Sequence, residues 1–304
     1  MQEPGRIAFF VVWRTHLIEH DIMMVFIRIL VVVIAMGSLI PAALQAQQKK
    51  KIVGSSTPLA PDEKPTSMWF GGYVGPTFSS QGGTFTTACD CEFTGGAGTG
   101  FIAGLMFEDK TTSKIIIGGQ LGYDSRGLTG KFREIEGSVQ TSPSGRTYTV
   151  PIQFLNEAAI DLGVVHASAY AKYAFLGPVY ARLGATAGYV VSSSLVHTKT
   201  LESKTVTFPN GELATVAIPG AKDGVVTVQS GPVTDLNPLQ FGLIGAVGIE
   251  IPIRKVERKF GPPAVTTYLS PAVQYNLPIS TISAQGNNFQ LRQVQFFLEL
   301  RHNL

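Results

Sequence analysis

LRQVQFFLELRHNL, residues 291 to 304, is the stretch on which the fold turns. Side chains of an extended chain alternate between two faces. Val294, Phe296, Leu298 and Leu300 therefore share one face, while Gln293, Gln295, Glu299 and Arg301 share the other. Two architectures use such a strand. A soluble β-protein buries the apolar row and wets the polar one. A transmembrane barrel shows the apolar row to lipid and turns the polar row into its lumen.

Upstream, the same alternation recurs in residues 69–80, 100–108, 115–127, somewhere within 159–175, and in 179–196, 239–254 and 266–280, which with 290–302 makes eight segments. Val179, Ala181, Leu183, Ala185, Ala187, Tyr189 and Val191 oppose Tyr180, Arg182, Gly184, Thr186, Gly188 and Ser192. Leu269, Val273, Tyr275 and Leu277 oppose Tyr268, Ser270, Gln274 and Asn276. The polar rows are rich in Gly, Ser and Gln with single charges, which suits the narrow interior of eight strands, a space that side chains just fill.

The connections point the same way. DKTTS at 109–113 and LGP at 176–178 are brief, whereas the joins after the first, third and fifth segments are long and polar, the pattern of periplasmic turns and external loops. Aromatic residues fall at segment ends: Trp69, Phe70, Phe107, Tyr173, Phe175 and Tyr180 at one rim, and Phe78, Phe101, Tyr123, Tyr189, Phe241 and Tyr275 at the other. Amphipathic rings favour the headgroup level, so two girdles are expected. A bilayer offers no water to unpaired backbone groups, so the first and last strands must pair. The expectation is an all-β protein: a closed eight-stranded antiparallel up-and-down transmembrane β-barrel preceded by a signal peptide.

Composition agrees. Only 15% of the 304 residues are charged, well below the roughly one-quarter of ordinary soluble domains, and there are 33 glycines. The formal net charge is +3, with basic residues scattered among acidic ones, so nucleic acid is not an expected partner. At the N-terminus Arg28, the apolar run ILVVVIAMGSLI, Pro41 and AALQA follow the order of a secretory signal peptide. Residues 1–46 are assigned to it, with cleavage after Ala46 and a mis-started leader over 1–22. A transmembrane anchor over 25–44 is the alternative. Residues 47–66 read as a periplasmic linker and 67–304 as the barrel.

The segments HASAYAKYAFLGPVYARLGATAGYVVSS, LQFGLIGAVGIEIPI and YLSPAVQYNL, with the closing LRQVQFFLEL, resemble the PorT-like outer-membrane β-barrel domain of Bacteroidetes. The resemblance is one of pattern over about residues 67–304. It implies an eight-stranded barrel in the cell outer membrane, and some members of that family assist protein secretion. The insertion 202–237 and the terminal Leu304 depart from the pattern.

Candidate chemistry is sparse. Lys172, Arg182, Glu250 and Glu299, with Arg301, are expected to face the lumen as an ion network that plugs it, a gated ion path being the functional alternative. His166 and Ser168 share one face and look like the histidine and serine of outer-membrane lipid A deacylases. A nucleophile of that kind needs an orienting carboxylate as well. No Asp or Glu lies between Asp161 and Glu202, so lumen lining is the simpler role and no catalytic residue is expected. Cys89 and Cys91 sit in the first external loop. A local disulfide is the first expectation for an exported chain, with free thiols next and then a metal site drawing on His197 or Glu92; no metal or cofactor is assigned. The insertion, with a turn at Pro209, Asn210 and Gly211, is expected to form a β-rich projection outside the membrane. Expected partners are outer-membrane lipid, the barrel-assembly machinery during insertion, and a protein at the external loops. The expected role is non-enzymatic: structural, adhesive or secretion-accessory. A lipid A-modifying hydrolase and a narrow solute channel are the alternatives.

Overall fold

The computed structural model describes residues 68–89, 91–112, 114–216, 220–256 and 264–303. The leader, signal peptide and linker assigned to residues 1–66 lie outside the described residues, as does much of the 254–263 connection.

Thirteen strands are described: β1 (Met68–Thr86), β2 (Glu92–Phe93), β3 (Gly96–Asp109), β4 (Ile115–Thr141), β5 (Thr147–Leu176), β6 (Val179–Leu201), β7 (Thr205–Thr207), β8 (Leu213–Thr215), β9 (Val225–Gly231), β10 (Leu239–Ile249), β11 (Ile251–Val256), β12 (Ala264–Pro278) and β13 (Asn287–Asn303). Eight of them form a ring in the order β1, β3, β4, β5, β6, β10, β12, β13, each antiparallel to the next. β13 pairs back to β1 from Asn303 opposite Trp69 to Asn287 opposite Thr84, so the ring leaves no open edge. β11 continues β10 past Glu250 and stays on β12.

Which face is outside settles the question posed by the last strand. Phe296, Leu298 and Leu300 are 44%, 45% and 52% exposed, while Gln293, Gln295, Glu299 and Arg301 are at most 2% exposed. Val74, Leu105, Leu183, Val247 and Val273 continue the apolar exterior around the ring. The barrel is greasy outside and polar inside, the arrangement of a transmembrane β-barrel. Several inward rings lie flat across inward glycines. A Cβ on Gly118 would meet the Tyr170 ring at 2.7 Å, and one on Gly248 would meet the Tyr180 ring at 2.5 Å.

Three features differ from the sequence expectations. Trp69 and Tyr180, counted above among the rim aromatics, point inward, Tyr180 in keeping with its place on the Arg182 face. Trp69 packs on Tyr268 with ring centroids 5.1 Å apart, and the Tyr180 hydroxyl donates to Glu299 Oε2 at 3.2 Å, so each ring finds its partner in the lumen. Ser192, assigned to the lumen, is exposed. Gly163 pairs with Ser192 and Val164 with Val190, which leaves Val191 as a bulge that reverses the alternation beyond it. Leu195 and His197 are consequently the inward residues. Finally, β4 and β5 extend well past the ring as a hairpin, paired through to Thr141 opposite Thr147.

The end of the barrel bearing the brief connections is called the turn end below, and the opposite one the loop end. At the loop end the inward face becomes apolar. Phe85, Phe93, Leu128, Ile160, Leu162, Val164, Leu195, Phe289 and Leu291 form one buried cluster, with Phe85 and Phe93 stacked at 4.8 Å. Beyond it another buried cluster, including Val150, Ile152, Phe154, Leu201, Val206 and Phe208, packs the β7–β8 hairpin against β5.

Candidate functional site

The polar tier of the lumen lies towards the turn end. β3, β5 and β6 deliver Glu108, Lys172 and Arg182 from their inward rows, β13 delivers both Glu299 and Arg301, Glu250 comes from the junction of β10 and β11, and they meet in the middle. Lys172 Nζ lies 2.6 Å from Glu108 Oε2 and 2.9 Å from Glu250 Oε1. Arg301 spans the same two carboxylates, bonding Glu108 through Nη1 and Glu250 through Nη2 at 2.9 Å. Arg182 Nη1 bonds Glu299 Oε1 at 2.7 Å and its Nη2 bonds Gln274 Oε1 at 2.9 Å. Three carboxylates thus face three cations, and the cluster is neutral. Tyrosines insulate it: Tyr170 donates to Glu108 at 3.0 Å, and the Arg182 guanidinium lies 4.6 Å from the Tyr170 ring.

Lys172, Arg182, Glu250 and Glu299 therefore occupy one network with Arg301. Glu108 was not singled out from the sequence, although it joins both bridging cations. Period two would have found it, because it alternates with the outward Leu105 and Phe107. Above the ion cluster, Asp124 pairs with Arg126 at 2.7 Å and accepts from Gln293 across the lumen at 3.3 Å, while Gln274 donates to Gln295 on the neighbouring strand at 2.7 Å.

His166 and Ser168 face the lumen and are buried. His166 Nε2 pairs with the Tyr73 hydroxyl at 3.0 Å, while Ser168 Oγ donates to Thr186 Oγ1 at 3.1 Å. Each is engaged with a different partner, inside a wall that lipid cannot cross. The apolar tier above is close-packed. A cavity lined by Phe85, Ile160, Leu195, Val233 and Phe289 holds about 10 Å³, at the lower bound of the roughly 10–15 Å³ that one water needs. An ionic tier and a close-packed apolar tier thus stack in series in the lumen.

At the loop end, β2 folds back on β1 with Phe85 opposite Phe93, and Thr87 at the reversal reaches His197 of β6. Cys89 and Cys91 are joined by a disulfide there, with Cα atoms 5.1 Å apart. Buried His197 faces them: its Nδ1 lies 3.0 Å from Thr87 Oγ1 and 3.8 Å from Cys89 Sγ. Its Nε2 meets Asn156 Oδ1 at 3.1 Å. Glu92 pairs along the strand with Thr86 and is not one of the residues gathered there. Ala88 N donates to Gln229 Oε1 at 3.0 Å, pinning the reversal to β9.

The β4–β5 hairpin stands above this corner. β3 leaves β4 at Gly130, so from Lys131 to Thr141 β4 has β5 as its one strand partner among the described residues. Ile135 and Val139 on its outer face are 70% and 67% exposed.

No protein-family model matches the chain, and no curated protein matches it. Solved structures to which it is similar include Neisserial surface protein A, at 12% identity and a TM-score of 0.31, covering 77% of this chain and 97% of that one. Ail, the attachment invasion locus protein of Yersinia pestis, in complex with the heparin analogue sucrose octasulfate, shares 12% identity at a TM-score of 0.29, covering 77% and 98%. The outer membrane protease OmpT from Escherichia coli shares 9% at 0.26, covering 81% and 100%. Likenesses at this level carry no argument about role, and the barrel assignment rests on the closed ring and its inverted faces.

Proposed function

We propose that the chain is an outer-membrane β-barrel that acts without catalysis, as an adhesive or secretion-accessory scaffold, through the β-structure at its loop end. The observation that carries this reading is the edge of β4 over Lys131–Thr141 that no strand among the described residues covers, with Ile135 and Val139 exposed beside it. An unpaired strand edge offers a row of backbone donors and acceptors to an incoming strand, and proteins ordinarily blunt or cover such edges. Here the edge sits on a rigid barrel, the setting in which loops carry function. The two packed lumen tiers support the scaffold over a channel, and the separate partners of His166 and Ser168 support it over a hydrolase. Membership of the PorT-like family would agree with a secretion-accessory role and remains part of the proposal.

Photo-crosslinking in whole cells tests it. A crosslinker at Ile135 or Val139 should give discrete protein adducts that one at the buried Gln274 does not. The reading fails if the loop end gives none while the purified barrel conducts in a planar bilayer, or cleaves lipid in a manner abolished by Ser168→Ala.

A further inference from the structure

The corner formed by Cys89, Cys91 and His197 is more ordered than a surface disulfide requires. Its order runs back through a chain of hydrogen bonds that fixes a proton. Asn156 Nδ2 lies 3.3 Å from Glu134 Oε2, a carboxylate oxygen that accepts, so the amide nitrogen faces Glu134 and the amide oxygen faces His197. An accepting Oδ1 requires that His197 carry its proton on Nε2. Nδ1 is then the bare lone pair, and it is aimed at Thr87 and Cys89. The Phe93 ring meets the imidazole edge-on at 5.3 Å and 86°, which holds the ring plane. A neutral imidazole, oriented through its other nitrogen and presenting an unprotonated Nδ1 that accepts only from the rotatable Thr87 hydroxyl and faces Cys89, is how proteins prepare a histidine for a metal.

Two sulfurs complete the set. The ligand atoms of Cys89, Cys91 and His197 all lie within 4.8 Å of one another. The separation of Cys89 Sγ from His197 Nδ1 is 3.8 Å, against about 3.5 Å between S and N ligands on one tetrahedral zinc at ordinary bond lengths. While the sulfurs are bonded to each other, neither is a thiolate and the site is shut. Cys89 is exposed, so a reductant can reach the bond.

The geometry points to a redox-gated zinc site: reduction of the Cys89–Cys91 disulfide opens a place for one Zn²⁺, held by both thiolates and by His197 Nδ1. A dithiol reductant gives two electrons and two protons to the Sγ–Sγ bond and closes to its own disulfide. The bond breaks to two thiols, and Zn²⁺ displaces one proton from each as two S–Zn bonds form. The fourth position falls beside the Thr87 hydroxyl, where water can complete the shell. This inference stands apart from the adhesive or accessory reading and survives its failure.

The test uses the full chain folded in detergent micelles. It is reduced with a phosphine, which takes up oxygen from water as it yields two electrons, and is then desalted without air. The reduced chain should retain one Zn²⁺ per molecule through gel filtration and, with Co²⁺, show thiolate-to-metal charge-transfer absorption; the oxidised chain should do neither. Cys89→Ser/Cys91→Ser should abolish retention, and Asn156→Leu should weaken it by about 10–100-fold with both thiols intact. Heat-modifiable gel mobility confirms that each variant is folded. Zinc-edge X-ray absorption on the wild type separates a shell of two sulfurs and one imidazole from sulfur alone, so the proposal stays testable if a His197 variant misfolds. It is overturned if the reduced chain retains no zinc, if the oxidised chain retains as much, or if the shell contains no imidazole.

Discussion

Glu108→Gln is the sharpest probe of the lumen, because it changes one charge and almost no volume. Glu108 is fully buried and takes hydrogen bonds from Tyr170, Lys172 and Arg301. The native cluster balances Glu108, Glu250 and Glu299 against Lys172, Arg182 and Arg301; the variant leaves three cations against two carboxylates. At an effective dielectric near 20, unit charges about 2.6 Å apart attract by roughly 6 kcal/mol. Part of that is offset by the desolvation the neutral amide no longer suffers. Removing one partner of a buried ion pair has a net cost of about 3–5 kcal/mol. Glu250 still serves both Lys172 and Arg301, so the lower half of that range is expected. Adding Lys172→Met restores two against two and puts an apolar chain over the Tyr180 ring, where the ammonium now sits at 4.8 Å. Replacing a whole buried pair by apolar groups is often close to neutral. The double variant should therefore be more stable than the single. Urea unfolding in lipid vesicles, followed by tryptophan fluorescence and by heat-modifiable mobility, measures both. A single variant within about 0.5 kcal/mol of wild type, the scatter of ordinary surface changes, would refute the reasoning, and so would a double variant no better than the single.

Other perturbations test other tiers. Leu298→Arg, on the outer face beside Val74, should cost about 2–4 kcal/mol in vesicles, and a variant as stable as wild type would contradict the lipid-facing assignment. Gly248→Ala sets a Cβ against the buried, hydrogen-bonded Tyr180 ring and should cost about 1–3 kcal/mol as overpacking does; relief by a second change, Tyr180→Phe, would locate the strain at the hydroxyl end, and no loss at all would contradict the packing. At the loop end, hydrogen bonds from Asn210 and then Ser144 hold the Glu212 carboxyl below its usual range. A depressed carboxylate stabilises above its unfolded pKa and lets go as pH falls through the folded one. The tie between the β4–β5 tip and the β7–β8 turn should thus hold at neutral pH and loosen below about 4.3, the ordinary glutamate value. Exchange protection at the Ser144 amide, equal at pH 7 and pH 3, would remove this link, and Glu212→Gln should abolish the pH step.

The barrel was legible because period two is a direct projection of strand geometry. The faces read from Val294 to Arg301, and from Leu269 to Asn276, are the faces observed. What was not legible depended on interruptions of the period or on long-range meeting. One extra residue at Val191 carries no composition signal, yet it moved Ser192 out and His197 in. Trp69 sits at a strand end like a girdle residue, and only its parity with Tyr73 reveals the lumen; Tyr180 is read both as a rim aromatic and as a neighbour of Arg182 on the polar row, and the second reading is the one observed. The corner of Cys89, Cys91 and His197 joins residues 108 apart in sequence; His197 could be named as one candidate beside Cys-x-Cys, but the orienting pair Asn156 and Glu134 could not.

The vague start assigned to the fourth segment has a physical cause that bears on the whole design. Along β5 the inward residues run Lys172, Tyr170, Ser168 and His166, then change to Val164, Leu162, Ile160 and Ala158. The outward row changes in the opposite sense, from Tyr173, Ala171, Ala169, Ala167 and Val165 to Asp161 and Glu157. One continuous strand thus obeys an inverted hydrophobic rule at one height and the ordinary rule at the next, because the solvent outside changes from acyl chains to water. The reversal falls at Val164 and Asp161, level with the β6 bulge at Val191, where Gly163 pairs with Ser192. The bulge lets β6 make the same exchange of faces by shifting register, where β5 makes it by changing residue type. That height is where the outward row of β5 stops being apolar, as it should at a bilayer's upper edge. Everything beyond it, the apolar tier, the disulfide corner and the edge of β4 that no described strand covers, is built as a water-soluble β-structure standing on a membrane one.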